Sequence, residues 1–275
     1  MANNDVEMAI GQNQKLTGLI TQRNAKLMAS ICYARRIQDA LFPAELSIGF
    51  FTGTACHSKP KGVVSGDFLW HHLTSENVFL AVADCTGHGV PGAMMSMLGN
   101  NLLNQMVLDR RIHSPQQVLA ELDHALEALF NHHKSDDPVH DGMDMGYFML
   151  DKNNLELTFA GALVRCMIIR AGELIRLECA RHALGGCLPA TKKEFSQIRF
   201  QLQPGDRIVL STDGYQSQFG GPLGKKMKAH EFRALVLRTA QLTPAEGIAF
   251  LDSEFSQWSG AEEQIDDVLV VLLGL

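Results

Sequence analysis

The chain has 275 residues, 46% hydrophobic and 20% charged, enough for one sizeable α/β core or two small ones. A formal net charge of -6 argues against a general nucleic-acid binder and leaves room only for a local basic patch. The six cysteines (Cys32, Cys56, Cys85, Cys166, Cys179, Cys187) form no CxxC pair. They read as reduced thiols of a cytoplasmic protein, not as a disulfide framework.

In chain order, the first expected element is a long helix over residues 1–42. Apolar Val6, Ile10, Ile20, Leu27, Ile31, Ala34 and Leu41 step by threes and fours. Asn13, Thr17, Asn24 and Gln38 dilute that stripe. The helix should end at Phe42-Pro43, because the residue before a proline is pushed out of the α region. Such a helix is either a dimerisation or connector segment or one packed on its own domain. Its opening, "MANNDVEMAIGQNQK", reads as a helix cut from a longer chain, which allows the cytoplasmic part of a membrane receptor. No run in this chain is long and apolar enough to cross a bilayer, and no signal-peptide core opens it.

Beyond Pro43 the pattern changes. "FFTGTACHS", "GDFLWHHL" and "VFLAVADC" read as strands joined by hairpins, the last two through Thr74-Ser75-Glu76-Asn77. Pro91 opens a methionine-rich helix. A second helix starts at Ser114, with a Ser114/Gln117 capping-box pattern and a stripe of Leu119, Leu122, Leu126 and Leu129. "NHHKSDDPVHDG" reads as a loop. Strands over 143–211 follow as a meander, then helices near Ala229–Gln241 and Pro244–Trp258, and a last strand in "DDVLVVLLG". Strands, a helix pair, strands, a helix pair and a strand make an α+β domain over residues 43–275.

Four places put aspartate at the end or edge of an apolar strand: Ser65-Gly66-Asp67, Ala83-Asp84-Cys85, Thr212-Asp213-Gly214 and Ile265-Asp266-Asp267. Any one of them reads as a turn residue or a cap. Four together, with no Lys or Arg in the same motifs, point to a missing counter-charge. Oxygen ligands without His or Cys favour hard divalent ions, Mg2+ or Mn2+.

The motifs "VVSGDFLW", "VADCTGHGVPGAMMS", "PGDRIVLSTDGYQSQFGG" and "IDDVLVVLL" occur in the order and near the spacing of the SpoIIE/RsbU-type branch of the PPM metal-dependent Ser/Thr protein phosphatases. The resemblance runs from about residue 35 to the C-terminus and includes "ARRIQDALFP". Its texture is that of SiaA-like bacterial receptors carrying a C-terminal phosphatase domain. It implies an α-β-β-α sandwich of two antiparallel sheets with a dimetal site at one edge. It also implies that Asp67 and Asp84 bind the ions, with Asp84 shared by both. The Cys85 carbonyl completes one shell, and Asp213 and Asp266 hold the second ion. Asp267 falls in a supporting position. Asp144, in "DGMDMGYF", is either a contact for a third metal or a strand-edge turn residue. His88 either protonates the leaving oxygen or orients its loop.

The implied reaction is hydrolysis by a metal-activated water with no phosphoenzyme. The implied substrate is a phosphoserine or phosphothreonine on a STAS-like anti-anti-sigma partner, with a weak homodimer through residues 1–42. Two departures stand out. Lys59 and Lys61, but no arginine, lie near the first strand, and the chain reads "FAGALVRCMII" where relatives carry an Asn-Pro type sequence. The rival readings are a catalytically silent adaptor of the same fold and another two-metal phosphoester hydrolase. Loss of a metal aspartate would mark the former, and none is lost.

Overall fold

The computed structural model describes residues 2–42, 48–131, 141–186 and 193–275. The elements, in order, are α1 (Ala2–Leu41), β1 (Gly53–Lys59), β2 (Phe68–Leu73), β3 (Asn77–Cys85), α2 (Val90–Leu103), α3 (Pro115–Asn131), β4 (Gly142–Asp151), β5 (Glu156–Ala162), β6 (Cys166–Arg170), β7 (Glu173–Leu177), β8 (Leu184–Gly185), β9 (Ile198–Gln201), β10 (Arg207–Ser211), α4 (Gly214–Ser217), β11 (Phe219–Gly220), β12 (Lys225–Lys226), α5 (Ala229–Arg238), α6 (Pro244–Ser259) and β13 (Val268–Gly274). One sheet has the order β1-β13-β10-β6-β7 and the other β2-β3-β4-β5-β9, with β8 also beside β4. All strand pairings within these sheets are antiparallel.

Period-two alternation explains the layers. Along β3, Val78, Leu80 and Val82 enter the core between the sheets, together with Phe148 and Leu150 of β4 and Ile208, Leu210, Val271 and Leu273 of the facing sheet. Phe79, Ala81, Ala83 and Cys85 point the other way, onto Met95, Leu102, Leu119 and Leu122 of α2 and α3. The outer face of the second sheet, with Val209, Val268, Val270 and Leu272, packs on Phe232, Val236, Leu251 and Phe255 of α5 and α6. The result is the α-β-β-α sandwich that the resemblance implies. Fully burying a residue such as Val or Leu contributes about 1.5–3 kcal/mol, so three stacked cores amply support an edge that carries uncompensated charge.

Several local expectations need correction. The first strand does not form a hairpin with the second: β1 pairs with β13 and β2 with β3, in different sheets. The meander is likewise divided, because the chain leaves β5 at Ala162 and enters the other sheet at Cys166. Leu119, Leu122 and Leu126 are buried as expected, but Leu129 is 48% exposed. At the start of α3, the Ser114 hydroxyl donates to Gln197 Oε1, which also accepts from the Gln116 N–H. The loop expected in "NHHKSDDPVHDG" lies largely outside the described residues, as does the proposed boundary after Phe42, at residues 43–47.

Helix α1 runs 40 residues and leaves Leu16, Leu19, Ile20, Leu27 and Tyr33 exposed. Its C-terminal part docks. Gln38 is buried, and Phe42 lies 5.2 Å from Phe68 between ring centroids. No helix among the described residues is long and apolar enough to cross a membrane.

Candidate metal centre

The apolar alternation of β3 places Asp84 next after Val82 on the face between the sheets, at the strand's end. Directly across the ladder stands Asp144 of β4. Like charges opposite one another in an antiparallel pair destabilise it unless a cation intervenes. From the facing sheet, β10 is followed by buried Thr212 and then Asp213, and Asp266 and Asp267 lead into β13. Asp67 precedes β2 and is 5% exposed. The Thr212 hydroxyl donates to Asp67 Oδ2 at 2.7 Å and so joins the two sheets at the centre.

Beyond Asp84 the chain turns through Gly87 and Gly89, both at positive φ (86° and 70°), where a side chain would be strained. Pro91 lies in the first turn of α2. A Cβ on Gly92 would fall 2.2 Å from the Gly87 carbonyl oxygen, and one on Gly66 would fall 2.9 Å from it. These glycines therefore let the Asp67 loop, the Asp84 loop and the start of α2 meet at backbone distance.

Asp267 holds the first of these loops in place. Its Oδ1 accepts from the Lys61 N–H and its Oδ2 from the Gly66 N–H, both at 2.7 Å. A carboxylate engaged through both oxygens by backbone donors positions the loop that carries Asp67. From the other side, Gln38 of α1 donates to the Ser65 carbonyl at 2.6 Å and accepts from the Ser65 N–H at 2.9 Å. Arg35 donates to the Val63 carbonyl. The sequence reading took Gln38 for a polar break in an apolar stripe and missed this contact. Thr212 was also missed, because its only signal was adjacency to Asp213.

Electrostatically the centre is crowded with carboxylates. Burial, with Asp67, Asp213, Asp266 and Asp144 around it, pushes Asp84 up to about 10. Burial and Asp213 lift Asp144 to about 6. Burial also raises Asp67 and Asp266, and Asp67 shares a hydrogen bond with Asp84. None of Asp67, Asp84, Asp213 and Asp266 forms a salt bridge among the described residues, and Asp266 feels Asp213 and Asp267 as well as the opposing charge of Lys61. Lys59 instead faces Asp252 and the Phe255 ring.

A cleft of about 280 Å3 opens over Asp84, Asp144, Asp213 and Asp266, with exposed His88 on its wall. Among the described residues, no three His, Cys, Asp or Glu side chains close a cage around a single ion. A spread set of carboxylates over an open cleft fits hard ions that retain water, as Mg2+ does. Neither nearby nucleophile candidate is poised to react: the Cys85 thiol is buried and pushed up by burial, and the Ser65 hydroxyl accepts from the Asp67 N–H.

Residues 74–275 match the sequence model of the SpoIIE family, stage II sporulation protein E. No curated protein matches the chain. Among solved structures, the SiaA-PP2C domain of Pseudomonas aeruginosa is 27% identical, with a TM-score of 0.81, over 92% of this chain and 98% of that one. The PP2C phosphatase domain of SpoIIE from Bacillus subtilis, solved with a fragment of its regulatory domain, is 18% identical at a TM-score of 0.64, over 81% and 63% of the two chains. RsbX in complex with magnesium is 15% identical at 0.55, over 80% and 94%.

Proposed function

This chain belongs to the SpoIIE family of PPM-type protein-serine/threonine phosphatases, and from that premise we propose that Asp67, Asp84, Asp213 and Asp266, with the Cys85 carbonyl, would hold two Mg2+ or Mn2+ ions for the hydrolysis of a phosphoserine or phosphothreonine. The observation that carries this reading is the cross-strand pair Asp84–Asp144, set among further carboxylates with no salt-bridge partner. The magnesium in RsbX supports the choice of ion. When bound, such ions supply an activated water and neutralise phosphoryl oxygens. The chain's own residues do the rest. Asp267 and Thr212 hold Asp67 in place, Asp144 stands across from Asp84, and His88 on the cleft wall offers a proton to the leaving oxygen. With Cys85 and Ser65 disengaged, no side chain takes the phosphoryl group. Single-turnover hydrolysis in 18O-labelled water should place the label in inorganic phosphate and leave no acid-stable phosphoprotein. A trapped phosphoenzyme would contradict this.

The substrate class proposed is a STAS-like regulatory protein phosphorylated on serine or threonine, as the resemblance implies. The same reading takes α1 as a weak dimerisation element whose state is felt at the centre, since Gln38 and Arg35 bond the loop that presents Asp67. Deleting residues 1–35 should convert a weak dimer to a folded monomer with altered turnover. Gln38→Ala should lower turnover about ten-fold, the loss of about 1–3 kcal/mol expected for a buried hydrogen-bonding partner. Light scattering and steady-state kinetics read both. Equal mass and equal rates for the full and shortened chains would make α1 a passive tether.

A further inference from the structure

A second cleft, of about 290 Å3, shares Asp84, Asp144 and Asp213 with the metal centre, and its other walls carry Arg165, Arg176 and Arg233. These arginines come from three separate places: the crossing between β5 and β6, edge strand β7, and α5. Neither Arg165 nor Arg233 makes a hydrogen bond or ion pair among the described residues. Arg176 reaches only Glu178, at 3.9 Å and with both side chains largely exposed. The arginines do not neutralise the centre, since among the described residues none of the three forms an ion pair with Asp84, Asp144 or Asp213.

The cleft is thus bipolar, lined both by carboxylates and by guanidinium groups of which only Arg176 has an ion-pair partner among the described residues, a long and exposed one, in a chain of net charge -6. The crossing that carries Arg165 is also held in a costly conformation. Leu163 has φ 62°, while its N–H bonds the Ala180 carbonyl and the Val164 N–H bonds the Ala162 carbonyl. A non-glycine residue in the left-handed region persists only where its surroundings fix it, so the position of Arg165 is set by the fold.

We propose that Arg165, Arg176 and Arg233 form a recognition cleft for acidic residues flanking the phosphorylated serine or threonine of the partner protein. The inference rests on the phosphatase reading above and adds to it the chemical character of the substrate. The phosphoryl group goes to the carboxylate end, where divalent ions bind. The neighbouring Asp or Glu side chains go to the arginine end, where the planar fork of each guanidinium matches a carboxylate in two parallel hydrogen bonds. Contacts of this kind select the partner and strengthen its binding, and they weaken as salt rises.

The test uses the full chain with Mn2+ and three probes. These are p-nitrophenyl phosphate, a phosphoserine peptide with Asp and Glu on both sides of the phosphoserine, and the same peptide with Asn and Gln there. The unaltered chain should favour the acidic peptide about ten-fold or more through KM, the order expected when charge-assisted hydrogen bonds are gained. That preference should shrink with added salt. In R165Q/R233Q the preference should collapse, with the loss on the acidic peptide exceeding that on p-nitrophenyl phosphate by about ten-fold. Arg176→Gln, on an exposed edge strand, gives the same reading independently should the double variant melt early. Equal kcat/KM for the two peptides in the unaltered chain, or an equal loss on all three probes in the variants, overturns the cleft. A chain that hydrolyses none of the probes overturns the phosphatase reading and the cleft with it.

Discussion

Asp84→Asn should reduce Mn2+-dependent turnover by at least about 10^3-fold, since loss of even an outer partner of a metal site costs about 10–100-fold and Asp84 is placed as a direct ligand. The same change should leave the fold intact and raise the melting temperature of the metal-free chain. Asp84 stands opposite Asp144 at the end of a buried strand, and the amide removes a carboxyl that its surroundings hold up at about 10. A substitution that abolishes activity while stabilising the apo form is the mark of a site strained for function. Near-normal turnover of Asp84→Asn, or a melting temperature well below that of the parent, would show that the motif has another role.

The second large effect is on stability against pH. Asp84 has its folded-state value raised from 3.8 to about 10 and Asp144 from 3.8 to about 6. For an acid raised on folding, the folded state holds the proton more tightly than the unfolded chain. Its contribution is therefore most favourable below pH 4 and is lost as pH rises toward the folded-state value. Asp144 gives up its share between about pH 4 and 6, and Asp84 continues to about pH 10. The metal-free chain should accordingly melt at a lower temperature at pH 8.5 than at pH 6.5. Saturating Mn2+ should reverse the trend, because ions compete with protons for these carboxylates and bind better as pH rises. At one hundred times the dissociation constant, one site contributes about 2.7 kcal/mol, a rise of several degrees for a chain of this size. Thermal melts with and without Mn2+ at the two pH values check this. Identical curves in chelator and in metal would contradict it.

How much of this was visible in the sequence depended on the range of the interactions involved. The strand ending at Asp84, the glycine turn and the proline-initiated α2 are local, and alternation, positive-φ glycines and Pro91 announce them directly. The four-layer sandwich followed from the resemblance of the motifs, and the buried faces of β3 bear out its layering. Local pattern could not assign strands to sheets. β1 joins β13, whose partners Gly53 and Gly274 lie at opposite ends of the domain, and nothing near Gly53 specifies that choice. Gln38 was read by its periodicity as a weak point in a stripe, whereas its amide spans to Ser65 across a tertiary interface. The three arginines carry no sequence signature, because three separate elements bring them together. Asp144 stood between a metal contact and a turn residue, and only the register of β4 against β3 sets it opposite Asp84.

The central claim is that these carboxylates work as a divalent-metal phosphatase centre. It is tested most directly by following inorganic phosphate released from a phosphoserine peptide, first in EDTA and then after Mn2+ is restored in excess. The account predicts no release above background in chelator, full recovery with Mn2+, and no recovery for Asp84→Asn under either condition. Release that continues undiminished in EDTA would contradict it.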